Sequence, residues 1–186
     1  MSNNGYAGKI LRVDLTKETA TVESLDEETA RSYIGGRGIG AYLAYKEMSP
    51  GVDPFSPESS LYVVTGPLQG TLAPFAPKFV LLNKSPLSGS LSRSVCGGGG
   101  FGPELKYAGY DAVIIKGRAS RPVYLWIDDG KAQIRDARAH WGKTTGDTQV
   151  AIKEELRDRS VSVISIGPAG ENLVRFSGVI VNSRAA

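Results

Sequence analysis

The residues of this sequence most unusual in type and spacing run from Ser94 to Gly102, S-V-C-G-G-G-G-F-G. Cys96 is the only cysteine, and Gly97, Gly98, Gly99 and Gly100 follow it directly. A flexible linker would mix glycine with serine over a longer stretch and join segments that do not pack together. This run is short, and its flanks, Val95 and Phe101-Gly102-Pro103, read as anchored. Successive backbone N–H groups in a turning glycine segment can form a concavity for an anion, with no Cβ to hold a ligand away. By that physics alone, a cradle for an anion or cofactor and a tight structural turn both stay open. A single cysteine permits no internal disulfide and no self-contained site of several thiolates for a metal or an iron–sulfur cluster.

Other candidate groups have plainer readings. Gly36-Arg37-Gly38-Ile39-Gly40-Ala41 fits the loose dinucleotide pattern G-x-G-x-x-A, but a helix precedes it where a buried strand is required. Close backbone approach at a helix break is the better reading. Gly142-Lys143-Thr144 resembles the end of a phosphate-binding loop, yet Ala137 stands where that loop needs its first glycine, so a turn before a helix is expected. His140, the only histidine, has no carboxylate or thiol at ligand spacing and reads as structural. No serine–histidine–acid arrangement follows from the spacing, so hydrolase chemistry has no support.

These groups must be positioned by a domain of 186 residues that is 41% apolar and 22% charged, with a net charge of +3. That length suits one domain with a substantial core. Basic residues are dispersed, without the stripe interleaved with aromatics that marks a nucleic-acid surface. No apolar run approaches the roughly 20 residues of a membrane helix, and MSNNGYAGK has no signal-peptide core, so a cytoplasmic setting is expected.

Alternation predicts a strand over Lys9–Leu15, hairpin-paired through Thr16–Thr19 with Ala20–Ser24. A helix starts near Asp26, with Ala30, Tyr33 and Ile34 as its apolar face, is interrupted at Gly35–Gly40 and resumes over Ala41–Met48. Strands follow at Leu61–Thr65 and Phe79–Leu82, then a short helix at Gly102–Tyr107 and a strand at Ala112–Lys116. The second half repeats the order: a hairpin of Val123–Ile127 and Lys131–Arg135 on an Asp128-Asp129-Gly130 turn, a helix over Thr148–Leu156 offering Val150, Ile152 and Leu156 to the core, and strands at Val161–Ile166 and Val174–Val181. The junctions also match, Thr65-Gly66-Pro67-Leu68 against Ile166-Gly167-Pro168-Ala169. The expected fold is therefore α+β: two mainly antiparallel sheets from a duplicated hairpin–helix–strand–strand unit, its halves at about 8–95 and 112–182.

Taken in order, these stretches resemble the N-terminal domain of the tungsten-dependent aldehyde:ferredoxin oxidoreductases. The resemblance rests on GKILRVDLT at 8–16, Gly35-Gly36-Arg37-Gly38, DPFSPE at 53–58, TGPLQGT at 65–71, KSPLSG at 84–89, GGGFGPELK at 98–106 with YAGYD at 107–111, HWGK at 140–143 and IGPAGEN at 166–172, and it covers essentially the whole chain. It implies a single cofactor-cradle domain over 1–186, with sheets related by a pseudo-twofold, on which a tungsten bis-pterin of the molybdopterin type would sit. It implies oxidation of a small aldehyde to a carboxylate, with electrons passing through a [4Fe–4S] cluster to ferredoxin.

Residue by residue, the family's pterin-contacting arginine falls on Lys78, which keeps the charge without the planar fork. Gly97, Gly98 and Gly99 would line the pterin. The family's position whose backbone helps hold the magnesium between the pterin phosphates falls on Cys96, or on Ser94 with a shifted gap, and Arg184-Ala185-Ala186 matches the start of a further cofactor segment, with Ala185 as the second backbone ligand. The family's cluster cysteines, aspartates and proton-handling residues lie in later helical domains. The chain is thus expected to need those domains, or a subunit carrying them, and to hold no cluster and oxidise no aldehyde alone. The apolar face left for docking them could instead support a homodimer. A binding or assembly subunit that keeps the fold without the redox chemistry is the alternative, and Lys78 and Cys96 keep it open.

Overall fold

The computed structural model describes residues 5–97, 99–182, 184 and 185. Its first half is a hairpin, β1 (Lys9–Asp14) and β2 (Thr19–Ser24), then helices α1 (Glu27–Tyr33) and α2 (Gly36–Glu47), then strands β3 (Leu61–Val64), β4 (Phe79–Lys84) and β5 (Leu91–Cys96). Helix α3 (Phe101–Tyr107) leads into β6 (Ala112–Lys116). These strands make one six-stranded sheet in the order β2-β1-β6-β3-β4-β5. Every pairing is antiparallel except that of β1 with β6, which sets Ile10 beside Ala112 and Val13 beside Ile115.

The second half carries the hairpin β7 (Val123–Asp128) and β8 (Lys131–Asp136), helix α4 (Thr145–Glu155), strand β9 (Ile164–Ser165), the single turn α5 (Pro168–Glu171), and strands β10 (Ile180–Val181) and β11 (Arg184–Ala185). Here the described strands form two separate sheets, β7-β8 and β11-β10-β9. The fold is α+β, as the pattern predicts, but the described strands fall into three sheets where two are expected, because those of the second half do not join into one. Among the described residues no helix is long and apolar enough to cross a membrane.

Alternation along β1, β3, β4 and β6 explains the layering. Ile10, Tyr62, Val64, Leu82 and Ile114 face α1 and α2, where Ala30, Ile39, Leu43 and Ala44 meet them. Leu11, Val13, Val63, Phe79, Leu81 and Val113 face the opposite way and share a second core with Leu125, Ile127, Ile134, Ile164 and Val181 of the second half. That second core makes the two halves one body.

Several boundaries differ from the sequence reading. Helix α2 begins at Gly36, so the glycines lie within its first turns. Gly38 sits where a Cβ would overlap the Tyr33 carbonyl, and Gly40 where one would overlap a Leu82 methyl. The close-approach reading of this segment therefore holds. Of the apolar face expected on the first helix only Ala30 is buried, because Tyr33 and Ile34 lie at its exposed end, Ile34 in the left-handed conformation. On α4, Ile152 is buried but Val150 is 56% exposed. Strand β5 has no counterpart in the sequence reading, and β9 and β10 are far shorter than the apolar runs that contain them.

One polar group ties the first sheet together. Asp111, 2% exposed at its side chain, pairs with Lys106, 6% exposed. Its carboxylate accepts from the backbone N–H groups of Ala7 (3.0 Å), Gly8 (2.6 Å) and Lys9 (3.3 Å). Its carbonyl accepts from the N–H and hydroxyl of Thr65, at 2.9 and 2.7 Å. The start of β6 is thereby fastened to the start of β1 and the end of β3.

Candidate functional site

The glycine segment is held at both ends. Register pairs Cys96, the last residue of β5, with Phe79, the first of β4. Phe101, the first of α3, sets its ring against the ring of the same Phe79, with centroids 4.9 Å apart. Between these anchors Gly99 and Gly100 turn the chain with φ of 42° and 106°, angles that favour glycine. A Cβ on Gly97 would meet nothing within 4 Å, so bare backbone there faces open space.

Cys96 itself is fully buried, with its side chain in the second core. Burial pushes its thiol above the ordinary range, and a hydrogen bond involving the Leu81 backbone only partly offsets that shift. The thiolate needed to ligate a metal is therefore disfavoured. Only the main chain of Cys96 can serve a ligand outside the core.

Lys78 immediately precedes β4 and is exposed. It lies one residue outside the Phe79–Cys96 pair, at the same sheet end as Gly97. The loop delivering it is fixed by Gln69, a buried residue whose carbonyl accepts from the Gly66 N–H and whose amide donates to the Lys78 carbonyl. Gly102 supports the same geometry, because a Cβ there would come 3.0 Å from the Pro77 carbonyl oxygen. The TGPLQGT stretch and the glycine segment are thus neighbours.

The third contributor comes from the far end of the chain. Arg184 pairs with Val181 across the β10–β11 hairpin, and Ala185 with Ile180. At the turn, Asn182 has φ 44° and makes bonds in three directions. Its side-chain carbonyl accepts from Val163 N–H (2.9 Å), and its amide donates to the Gly99 carbonyl (3.3 Å) and the Ser162 hydroxyl (3.1 Å). The backbone N–H of Asn182 also donates to the Val163 carbonyl at 3.1 Å.

The structure therefore brings Lys78, Cys96, Gly97, Gly99, Arg184 and Ala185 to one region, where the ends of β4, β5 and β10 meet. Gly98 lies outside the described residues, as does Ala186. Asn182 and Gln69, which do the positioning, were missed. Their only sequence signal is place: Gln69 inside TGPLQGT, Asn182 between an apolar strand and Arg184. An exposed cation beside open glycine backbone suits a ligand carrying negative oxygens.

The remaining candidates stay outside this region. His140 is buried, with Nε2 2.8 Å from Glu155 of α4. Tyr124 donates to the same carboxylate at 2.6 Å, and these bonds, Tyr124 first and then His140, hold Glu155 below the usual carboxylate range. That carboxylate arrives through the tertiary structure, fifteen residues away in sequence. Thr144 of the Gly142-Lys143-Thr144 stretch caps α4, its hydroxyl accepting from Asp147 N–H at 3.2 Å, so that stretch is the turn expected before a helix.

Comparison with known proteins gives these positions a context. Residues 10–186 match the family described as aldehyde ferredoxin oxidoreductase, N-terminal domain. A tungsten-containing aldehyde ferredoxin oxidoreductase of Pyrococcus abyssi is 52% identical over 98% of this chain. The WOR-like subunit of an aliphatic sulfonate oxidoreductase of Pyrococcus furiosus is 38% identical over 94% of it. The chain spans 30% of the length of each of these relatives. Among solved structures, the active-site complex BamBC of benzoyl coenzyme A reductase matches 96% of this chain and 27% of its own, with a TM-score of 0.93 and 37% identity.

Proposed function

The chain belongs to the aldehyde ferredoxin oxidoreductase family, matching its N-terminal domain, and from that premise we propose that it is the base on which a tungsten bis-pterin is held in a larger oxidoreductase. The observation that carries this reading is the convergence of Lys78, the backbone at Gly97 and at Gly99, and the β10–β11 turn, locked by the amide of Asn182 on the Gly99 carbonyl. Lys78 would neutralise phosphate charge. The main chain at Cys96 and Ala185 would face the magnesium between the pterin phosphates, with Arg184 beside it. Gly97 and its neighbours would admit the pterin edge because no side chain stands there.

When bound, the cofactor would supply the two-electron oxidation of an aldehyde to a carboxylate with water as oxygen source, a chemistry that belongs to metal and pterin rather than to protein side chains. This domain's residues bind and orient. The [4Fe–4S] cluster and the docking of ferredoxin belong to the remainder of the protein, and the isolated chain is inactive. Aldehydes are the substrate class named by the 52% identical relative. Relatives acting on sulfonates and on a coenzyme A thioester share the same domain, which supports placing substrate choice elsewhere. The setting is cytoplasmic.

Gly97→Val tests the reading cleanly, because the new side chain enters open space and should leave the fold intact. Titration with pyrophosphate or released molybdopterin should show binding by wild type and at least tenfold weaker binding by the variant at unchanged melting temperature. Equal binding by both would sink the cradle and favour a binding or assembly role without cofactor. Aldehyde-dependent dye reduction by the 186-residue chain alone would overturn the division of labour.

A further inference from the structure

Strand β5 has its polarity inverted. Ser92, Ser94 and Cys96 lie on the face turned to the second half, while Leu91, Arg93 and Val95 lie on the other. Cys96 joins the core there but the two serines do not, and on the opposite face Leu91 and Val95 are 45% and 46% exposed. A strand that only packed the two halves together would carry its apolar residues inward. Across the ladder Ser94 pairs with Leu81 and Ser92 with Asn83, toward the end of β4–β5 away from the Phe79–Cys96 pair.

These serines line a cavity of about 380 Å³ that opens where the two halves meet. Its apolar floor, Leu61, Leu81 and Val179, belongs to the second core. The second half adds Ser177 and the exposed Arg175, from the loop that leads into β10. Among the described residues no carboxylate lines the cavity, and Arg175 has no hydrogen-bond or ion-pair partner. The hydroxyls of Ser92, Ser94 and Ser177 likewise bond to no described group. Asn83 turns its amide to the Lys84 carbonyl at 3.1 Å, and the Lys84 ammonium is taken by the Pro50 carbonyl at 2.9 Å. Arg175 is thus the one cation in the lining, with hydroxyl donors beside it and an apolar floor.

We infer that this cavity is a binding site for a small organic carboxylate, separate from the glycine segment. A guanidinium presents a planar fork that matches a carboxylate through two parallel hydrogen bonds. The serine hydroxyls complete the donor set, and Leu61, Leu81 and Val179, with Pro54 and Pro86, receive a short apolar body. One unpaired cation without an acidic neighbour favours a monoanion over a phosphate ester, whose second charge would find no partner. The volume falls in the range of small-molecule sites. The site is independent of the cofactor reading, since it rests on β5, Arg175 and the cavity alone.

Titration of the 186-residue chain with benzoate at low salt, followed by NMR shifts of backbone amides and of the Arg175 Nε–H, tests it. Saturable shifts at Ser92, Ser94 and Gly178 are expected, with a dissociation constant of about 1 mM or below. Saturating pyrophosphate should leave that constant unchanged. Arg175→Met, which replaces the fork by an apolar stem, should weaken binding about tenfold or more, and Ser94→Ala about threefold, both at unchanged melting temperature. Benzamide, the neutral counterpart, should bind about tenfold or more weakly than benzoate. Benzoate that shifts none of these amides, or binds Arg175→Met equally well, would overturn the site. Displacement by pyrophosphate would merge it with the phosphate site and overturn its separateness. Equal binding of benzamide would reduce it to an apolar crevice, and inorganic phosphate bound as tightly as benzoate would make it a general anion patch. Either result overturns the proposed ligand.

Discussion

Between the hairpin and the meander of the first half lies β6, entered through Asp111, whose carboxylate and carbonyl gather Lys106, three N-terminal amides and Thr65 into one buried knot. The corresponding place in the second half has no strand among the described residues, and its polar knot is the partly exposed trio Tyr124–Glu155–His140. The first arrangement is dry, crowded and directional. The second is half-open to water, and its hydrogen bonds compete with solvent. Similar parts in similar order thus yield a finished sheet on one side and two fragments on the other, and the difference lies in what stands between the edges.

The comparison breaks most easily at Asp111. Asp111→Ala leaves the Lys106 ammonium buried without its partner, and loss of about 3–5 kcal/mol in urea unfolding is expected. A loss below about 1 kcal/mol would mean that the knot does not pin the first sheet.

Asn182→Ala cuts the tie between the glycine segment and the second half. Three hydrogen-bonding groups, the Val163 N–H, the Gly99 carbonyl and the Ser162 hydroxyl, lose a partner, and stability should fall by about 1–3 kcal/mol. The test that sharpens the comparison is exchange at Val163 and Gly99, which should quicken while β1 and β6 stay protected. Uniform quickening across both halves would show instead that the tie is global.

Cys96 probes the first half from inside. Its thiol is raised by burial, so its contribution is complete below the unfolded value of about 8.5 and is lost as pH rises above it. The stability gap between wild type and Cys96→Ala should therefore narrow from pH 8 to pH 10. In the native state the thiol should react with a disulfide reagent about 100-fold or more slowly than in urea. Rapid native labelling would place the sulfur at the surface.

The smallest effect is expected at Glu155, which is 45% exposed at its side chain. Glu155→Gln should cost at most about 1 kcal/mol at neutral pH after solvent screening. The carboxyl is depressed, chiefly by the Tyr124 hydroxyl, so its contribution is present above the unfolded value of about 4.3 and lost as pH falls through the folded one. Wild type and variant should converge as pH falls below the unfolded value. A cost comparable to that of Asp111→Ala would erase the contrast between the two knots.

Much of this molecule is local chemistry written in order along the chain. Alternation marks β1, short apolar runs mark β3, β4 and β6, and the Asp129-Gly130 turn, with φ of 41° and 80°, marks the β7–β8 hairpin by residue type. So does the rejection of a nucleotide loop at Gly36–Gly40, because a preceding helix is visible in sequence. What local pattern could not decide was how far an apolar run stays a strand. Val161–Ile166 and Val174–Val181 have strand composition, but only short pieces find partners, and a strand exists by its neighbours.

Cys96 and its glycines were conspicuous in the sequence, and the choice between sulfur and backbone needed the register. Pairing Cys96 with Phe79 puts its sulfur on the same face as that ring, in the second core, while a Cβ on Gly97, beyond the strand's end, would meet open space. Asn182 and Glu155 were ordinary polar residues on the page and became positioning groups only when the chain closed. Residue types and their order thus determined the elements, the glycine loop and the family. Tertiary structure alone determined which polar groups meet, because those bonds join residues that no local spacing relates.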